Sequence, residues 1–354
     1  MNRIIEIPLR VLDRGRRAAV WPLDRPPVKP RQVIVDVTDR CYFRCNTCDK
    51  WRVKETPPEL AAAQWQNALA ALYDWLGPFH LSISGGEPLL RPDVFDLISQ
   101  VATYGGSSNL MTNGWQVDAE MAQRLVRAGL SNLTLSLNGH RPETHDRTRG
   151  MPGSHARIMA AVAHFNEARR RAPHRPTLSL NVIVAGYNAA ELPDLVRWAR
   201  DAGIDAVGLQ PLADVTSYQP YATLGPDEQF RSVPIPVTHE LYDNGHGGAV
   251  EQALDELIAL KQEGFPILNP VSQLQLMHFY FRNDPRLAER RCYVGLNNFL
   301  IDPYGAVRLC YTMQPVGDIL RQAPRAIWEG ERAQAVRRQI RSCEAGCRLL
   351  NCNY

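Results

Sequence analysis

The sequence predicts an α/β protein, a partial (β/α)6 TIM-like barrel followed by a small C-terminal extension that contains a β-hairpin. Three observations lead there. Between residues 33 and 212, short apolar runs alternate with stretches of helical periodicity. Near the C-terminus, residues 298–302 and 306–310 read as two short strands around the turn Pro303-Tyr304-Gly305. Finally, 354 residues with 45% hydrophobic content suffice for one large core and a smaller unit.

Residues 1–32 are basic and proline-marked, with Arg10, Arg14, Arg16 and Arg17 ahead of Pro22, Pro26, Pro27 and Pro30. They read as a solvated strap across the barrel bottom. The core, residues 33–212, opens with a strand over 33–37. Leu60, Trp65, Leu69, Leu72, Tyr73 and Leu76 then give residues 57–76 a helical spacing. A parallel strand needs such a crossover. Further strands follow over 79–84, 107–112, 132–137, 177–184 and 206–210, with helices over 94–104, 119–128, 154–170 and 192–202 between them. Six strands make a barrel open on one side, with its chemistry at the C-terminal strand ends.

Residues 213–291 form a connecting region. Within it, 214–243 is rich in Tyr, Pro and Asp and has weak periodicity, which suits a lid or substrate-contacting loop. Tyr218, Tyr221, His239, Glu240, Tyr242, Asp243 and His246 are candidate substrate contacts, although a residue of these types taken singly is more often a surface or packing residue. No general base stands out. An amphipathic helix over 249–263 stops at Gly264. Residues 292–354 form the extension.

Charge is nearly balanced, with 40 basic and 37 acidic side chains and a formal net of +3, so nothing demands a nucleic-acid partner. No apolar run is long enough to span a membrane, and residues 1–17 are too charged for a secretory signal, so a cytoplasmic location is expected. In a reducing compartment the 8 cysteines point to metal and not to disulfides. Three lie early and five after residue 291, which suggests two metal centres.

The early group is Cys41-Tyr-Phe-Arg-Cys45-Asn-Thr-Cys48. This spacing can put three thiolates on three corners of an iron-sulfur cube and leave the fourth iron open to a small molecule. On spacing alone, a zinc knuckle lacking a close fourth ligand, or three reduced core thiols, remain alternatives. The strand over 79–84 runs directly into Gly85-Gly86-Glu87-Pro88, which taken alone would be a surface turn.

Together these two motifs resemble those of the radical S-adenosylmethionine (SAM) enzymes, whose barrel carries C-x3-C-x2-C on the loop after the first strand. Thr47 stands where that family often has an aromatic residue. The resemblance implies a SAM-binding 4Fe-4S cluster on Cys41, Cys45 and Cys48. It also implies that Gly85 and Gly86 admit the methionine part of SAM, while Glu87 or carbonyls near Pro88 hold its ammonium; glycine has no Cβ to obstruct such an approach. Asn113, in Thr112-Asn113-Gly114, closes the third strand. Ser136 and Asn138 close the fourth and are implied near the ribose hydroxyls, with Asn138 in place of a frequent Asp. The stretch from His145 to Gly150 is also similar to the family's, so that Arg149 would pair with the SAM carboxylate, the alternative being a cap or interdomain ion pair. Gln210 and Pro211 close the sixth strand, facing the same cavity.

The pattern Cys292-x12-Gly305-x4-Cys310, followed by Cys343, Cys347 and Cys352, resembles the SPASM and twitch extensions of radical enzymes. Five cysteines imply one auxiliary 4Fe-4S cluster, held by four of them or by three with an iron left open. The spacing Cys343-x3-Cys347-x4-Cys352 departs from either extension, and a structural zinc site is the alternative.

The implied activity is reductive cleavage of SAM, by electrons from a flavodoxin- or ferredoxin-type partner, to a 5'-deoxyadenosyl radical. That radical would take hydrogen from a small-molecule substrate of sugar, aminocyclitol or nucleoside type, leading to oxidation, elimination, decarboxylation or epimerisation. The alternative is maturation of a ribosomally made peptide. Enzymes of that kind often carry an N-terminal leader-binding domain, for which residues 1–32 are too short. An iron-sulfur sensor or electron carrier, a different class, would need neither Gly85-Gly86-Glu87-Pro88 nor ribose-facing strand ends.

Overall fold

The computed structural model describes residues 13, 15–48, 50–52, 56–212, 247–282, 284–287 and 289–343. The seven candidate substrate contacts between Tyr218 and His246, and Cys347 and Cys352, lie outside the described residues.

Six strands follow one another in parallel: β1 (Gln32–Asp36), β2 (His80–Ser84), β3 (Ser107–Thr112), β4 (Asn132–Ser136), β5 (Thr177–Val184) and β6 (Ala206–Pro211). Helices α1 (Ala62–Leu76), α2 (Val94–Thr103), α3 (Ala119–Arg127), α5 (Ser154–Arg170) and α6 (Leu192–Asp201) make the crossovers. This is the expected partial barrel. Alternate strand residues such as Val33, Val35, Leu81, Ile83, Leu133 and Leu135 are fully buried in one apolar core with Trp65, Leu69 and Leu72 of α1. The pleat sets that alternation, and it sends the intervening residues into the barrel interior.

Two local differences from expectation have local causes. Helix α1 begins at Ala62 and not at residue 57, because Pro57 and Pro58 favour extended backbone ahead of it. The Gln64 side chain then accepts from Ala61 N at 2.8 Å and closes the first turn. A further helix, α4 (Pro142–Arg149), escapes periodicity because its buried residues Thr144, His145 and Thr148 are polar.

The extension does not stand apart from the barrel. Its strand β7 (Asn298–Ile301) pairs in parallel with β1, from Gln32↔Asn298 to Val35↔Ile301. Strands β8 (Ala306–Arg308) and β9 (Gly317–Asp318) follow antiparallel, so the expected hairpin continues the sheet to nine strands in the order β6-β5-β4-β3-β2-β1-β7-β8-β9. The strap is tied down more than a solvated arm would be. Arg17 is buried and donates to Leu296 O and Lys29 O, Trp21 Nε1 donates to Cys292 O, and Arg31 N donates to Asn297 O just ahead of β7. Among the described residues no helix is long and apolar enough to cross a membrane.

At the opposite edge, residues 266–268 pair with Val207 in a single parallel bridge, and Asn269 continues that contact with its side chain. Its Oδ1 accepts from Leu209 N at 2.7 Å and its Nδ2 donates to Leu209 O at 2.8 Å. Asn269→Ala strips both partners from a buried strand residue. Stability should fall by about 1–3 kcal/mol, read by urea unfolding, and a loss near zero would mean that water caps this edge.

Candidate functional site

The three early cysteines occupy the loop after β1, at the C-terminal mouth of the barrel. Cys45 is buried, while Cys41 and Cys48 are half-buried. Burial pushes the Cys41 thiol up to about 11 and raises Cys48 as well, and a thiolate at Cys45 adds to both shifts. Binding these sulfurs to metal therefore displaces protons. Among the described residues no three Cys, His, Asp or Glu side chains gather as the ligands of one metal ion do. A cube instead takes each thiolate on a different iron.

Backbone contacts seat this loop from two sides. On the β2 side, Gly86 N donates to Thr38 O at 2.6 Å and Glu87 N to Arg40 O at 2.9 Å. A Cβ on Gly85 would lie 2.4 Å from Thr38 O, and one on Gly86 would lie 2.3 Å from Arg40 O. The glycine pair is thus required by the approach of the cysteine loop itself, a reason beyond the one the motif suggested. On the other side, Asn46 N donates to Thr148 O at 3.1 Å. Gly150, left-handed at φ 60° where α4 ends, has Arg44 O 2.4 Å from where its Cβ would be. Trp115 packs edge-on against Phe43 at 5.9 Å, and Trp51 Nε1 donates to Cys45 O at 2.9 Å.

Glu87 has no solvent exposure. Its Oε1 accepts from Thr112 Oγ1 at 2.7 Å and Leu89 N at 3.1 Å, and its Oε2 accepts from Asn113 N at 2.9 Å. Burial pushes this carboxyl up, while those bonds and Arg149 oppose the shift. Its visible work is to lock the end of β3 to the end of β2. Pro88 begins the short turn of helix that Glu87 caps.

Around the same mouth several buried polar atoms have no partner among the described residues. They include Asn138 Nδ2, Arg149 Nε and His145 Nε2. Asn138 is held by its backbone: its N donates to His145 Nδ1 at 3.1 Å, and its O accepts from Asn188 Nδ2 at 2.8 Å. Arg149 makes no ion pair among the described residues and lies over the Phe43 ring at 5.5 Å. Its charge reaches Cys41, Cys48 and Glu87. Ser136 is half-buried at the end of β4, Asn113 is buried with its Oδ1 accepting from Trp115 N, and Gln210 is half-buried on β6. Unsatisfied donors at Asn138 and Arg149, beside three thiols, fit a ligand rich in hydroxyl and carboxylate acceptors such as SAM.

Sequence reasoning missed Lys50, which is half-buried, its side chain 13% exposed, and donates to the buried Asp36 Oδ2 at 2.9 Å and Asp39 Oδ1 at 2.8 Å. Burial opposes its charge, but the two carboxylates outweigh that and hold the ammonium up. Tyr304 of the hairpin turn donates to Asp39 Oδ2 at 2.8 Å, so the extension grips the cysteine loop. Tyr187, past β5, was also missed; Arg149 and Cys45 act on it electrostatically. The strand-end rule applied to β5 would have found Tyr187. No local signal marks Lys50.

In the extension, Cys310 follows β8 and Cys343 lies near enough that its thiolate adds to the upward push that burial gives Cys310. Cys292 is half-buried.

Comparison with known proteins agrees with this arrangement. Residues 35–199 match the family model of the Radical SAM superfamily, and residues 292–353 match that of the SPASM iron-sulfur cluster-binding domain. The chain therefore carries a Radical SAM superfamily domain followed by a SPASM iron-sulfur cluster-binding domain, families that bind SAM and iron-sulfur clusters. It is 31% identical over 182 residues to a PqqA peptide cyclase of Gluconobacter oxydans, covering 51% of this chain and 49% of that protein. It is also 31% identical over 213 residues to a GTP 3',8-cyclase of Marinobacter nauticus, covering 59% and 62%. The chain thus spans about half the length of the curated relatives it matches first. Among solved structures, Streptococcus suis SuiB bound to the precursor peptide SuiA shares the fold with a TM-score of 0.66 at 15% identity, covering 95% of this chain and 74% of that one.

Two predictions follow from this geometry. Gly86→Ala should displace Arg40 and the cysteine loop, so that iron bound after anaerobic reconstitution drops well below wild type while far-UV circular dichroism is kept. Unchanged iron content would show that the loop tolerates the shift. Separately, burial, then Arg149, hold His145 down at about 3 against an ordinary 6.5. The unfolded chain takes up this proton below pH 6.5 and the folded chain does not, so the folded state loses stability as pH falls. His145→Asn should flatten that loss in urea melts between pH 7.5 and 5.5.

Proposed function

We propose that this chain is a radical SAM maturase acting on a ribosomally made peptide, with an auxiliary cluster in its extension. The observation that carries the reading is the likeness to PqqA peptide cyclases, together with a SPASM match after the barrel. The SuiB likeness supports it at the level of fold, since it covers barrel and extension together. These findings favour a peptide over the sugar, aminocyclitol or nucleoside that the sequence suggested. A nucleotide-type small molecule stays as the second reading because of the GTP 3',8-cyclase likeness.

When bound, a reduced cluster supplies one electron to SAM and so a 5'-deoxyadenosyl radical able to take hydrogen from a C–H bond. The chain's own residues do the rest. Cys41, Cys45 and Cys48 would hold the cluster. Asn138 and Ser136 receive the ribose, and Arg149 receives the carboxylate as a charge-assisted donor. Gly85, Gly86, Glu87, Pro88 and Asn113 form the wall beside its methionine part, with Glu87 acting chiefly by fixing Thr112 and Asn113. Trp115, Phe43 and Trp51 keep water from the loop. Four of Cys292, Cys310, Cys343, Cys347 and Cys352, or three of them, would hold the auxiliary cluster, and a flavodoxin- or ferredoxin-type protein would deliver electrons.

The test is anaerobic incubation with dithionite and SAM. Wild type should release 5'-deoxyadenosine, whereas a sensor or electron carrier would not. Cys41→Ala, Cys45→Ala and Cys48→Ala should each abolish release, while Cys310→Ala should keep some uncoupled release with impaired turnover. Co-expression with short peptides encoded beside the gene, followed by mass spectrometry, then decides the substrate. A Cys41-dependent mass change in a peptide supports the reading, and unaltered peptides beside an altered metabolite would favour the small molecule.

A further inference from the structure

Part of the cysteine loop faces solvent, and three exposed arginines, Arg44, Arg147 and Arg157, surround it. Arg44 belongs to the loop itself, between Cys41 and Cys45. Its Nη1 donates to Cys41 O and to Phe43 O at 3.1 Å each, and its guanidinium lies over the Trp51 ring at 5.5 Å. Arg157, in the first turn of α5, lies over Trp115 at 5.2 Å, and Trp115 packs in turn against Phe43. Arg147 stands in the last turn of α4, where Thr148 O accepts from Asn46 N, the residue after Cys45.

Exposed arginines on other faces of the molecule are paired: Arg25 with Glu329, Arg170 with Glu167, Arg282 with Glu251 and Arg338 with Asp24. Arg44, Arg147 and Arg157 form no ion pair among the described residues. The carboxylates around them are committed elsewhere. Asp146 accepts from Gly153 N, Ser154 Oγ and His155 N at the start of α5, Asp118 caps α3, and Glu59 pairs with Arg40 and Arg91. Glu143, one turn before Arg147, offsets one positive charge, and the exposed Arg141 beside it restores that charge. The rim of the loop is therefore positive, and a surface field of one sign speeds encounter with a partner of the other.

We propose that this arginine rim is the docking surface for an acidic one-electron carrier protein, which passes one electron to the cluster held by the loop and is itself oxidised by one electron. The inference rests on the radical SAM reading of the cysteine loop and is independent of the substrate. Position favours a carrier over a peptide: the electron must enter at the loop, to which Arg44 is bonded beside Cys41, whereas a substrate must reach the barrel interior. The patch also suits a carrier in kind. No large hydrophobic side chain is exposed among the three arginines, and encounters between electron-transfer proteins are small, short-lived and guided by charge.

Anaerobically reconstituted protein tests it with a flavodoxin, an acidic carrier whose hydroquinone becomes the semiquinone as the cluster takes one electron. Stopped-flow absorbance reads the reduction of the cluster, and calorimetric titration with oxidised flavodoxin reads binding without turnover. In the double variant Arg147→Glu, Arg157→Glu both should weaken roughly tenfold or more at about 50 mM salt, and the deficit should close toward about 0.5 M. Dithionite needs no docking, so the double variant should release 5'-deoxyadenosine with it as wild type does. Arg170→Glu, about 20 Å along α5 from Arg157, should leave reduction by flavodoxin unchanged. Undiminished reduction and binding in the double variant, an equal deficit in Arg170→Glu, or a matching loss of iron and of dithionite-driven release would overturn the docking surface. Normal flavodoxin binding with lost binding of a hexaglutamate peptide would overturn it too, and would assign the rim to an acidic substrate segment. Absence of dithionite-driven release in wild type would overturn the radical SAM reading of the loop, whereas its presence with flavodoxin indifferent to the double variant overturns the docking surface alone.

Discussion

The structure depends on a close approach of two backbones, that of Gly85-Gly86-Glu87 at the end of β2 and that of Thr38-Asp39-Arg40 leading into the cysteine loop. Two short hydrogen bonds join them, at 2.6 and 2.9 Å, and no Cβ fits between. A loop carrying three cysteines is otherwise free to place its sulfurs in many ways. Here its entry is clamped to one strand end and its middle to the end of α4. The cluster can then form on a prearranged set of thiols, and the entropy of ordering the loop is met by backbone contacts before any iron binds.

Buried charge adds a second layer of order. Lys50, Asp36, Asp39 and Tyr304 connect the loop, β1 and the hairpin turn in one network, and Glu87 connects β2 to β3. Burying such groups carries a desolvation cost that pairing only partly offsets, so their contribution is geometry more than stability. A Lys50 turned away from its two carboxylates would leave buried charge uncompensated. The alternative loop positions are thereby disfavoured.

The junction of barrel and extension follows from sheet pairing. With β7 in register beside β1, the hairpin turn around Tyr304 lies at the mouth that carries the loop with Cys41, Cys45 and Cys48, and β8 runs back from it toward Cys310. A separately folded extension would have to reach that position through a linker. Continuing one sheet instead fixes Cys310 relative to the first strand through backbone pairing alone. The likeness to solved structures runs across barrel and extension, whereas the curated relatives match over about half their length.

The sequence by itself determined the cysteine loop, the six strands, the strand-end positions of Asn113, Ser136 and Asn138, and the hairpin with Cys310. These are local properties: spacing, period-two and period-3.6 patterning, and turn residues all lie within a few positions of each other. Tertiary structure alone decided that the glycine pair serves the loop's own seating, that Glu87 is sealed by Thr112 and Asn113, and that β7 lies against β1. It also decided that Lys50 sits between Asp36 and Asp39 and that Asp302 Oδ2 has no donor among the described residues. Each of these depends on segments far apart in the chain meeting and excluding water, and neither a distant pairing nor a desolvated charge leaves a periodic trace in the residues around it.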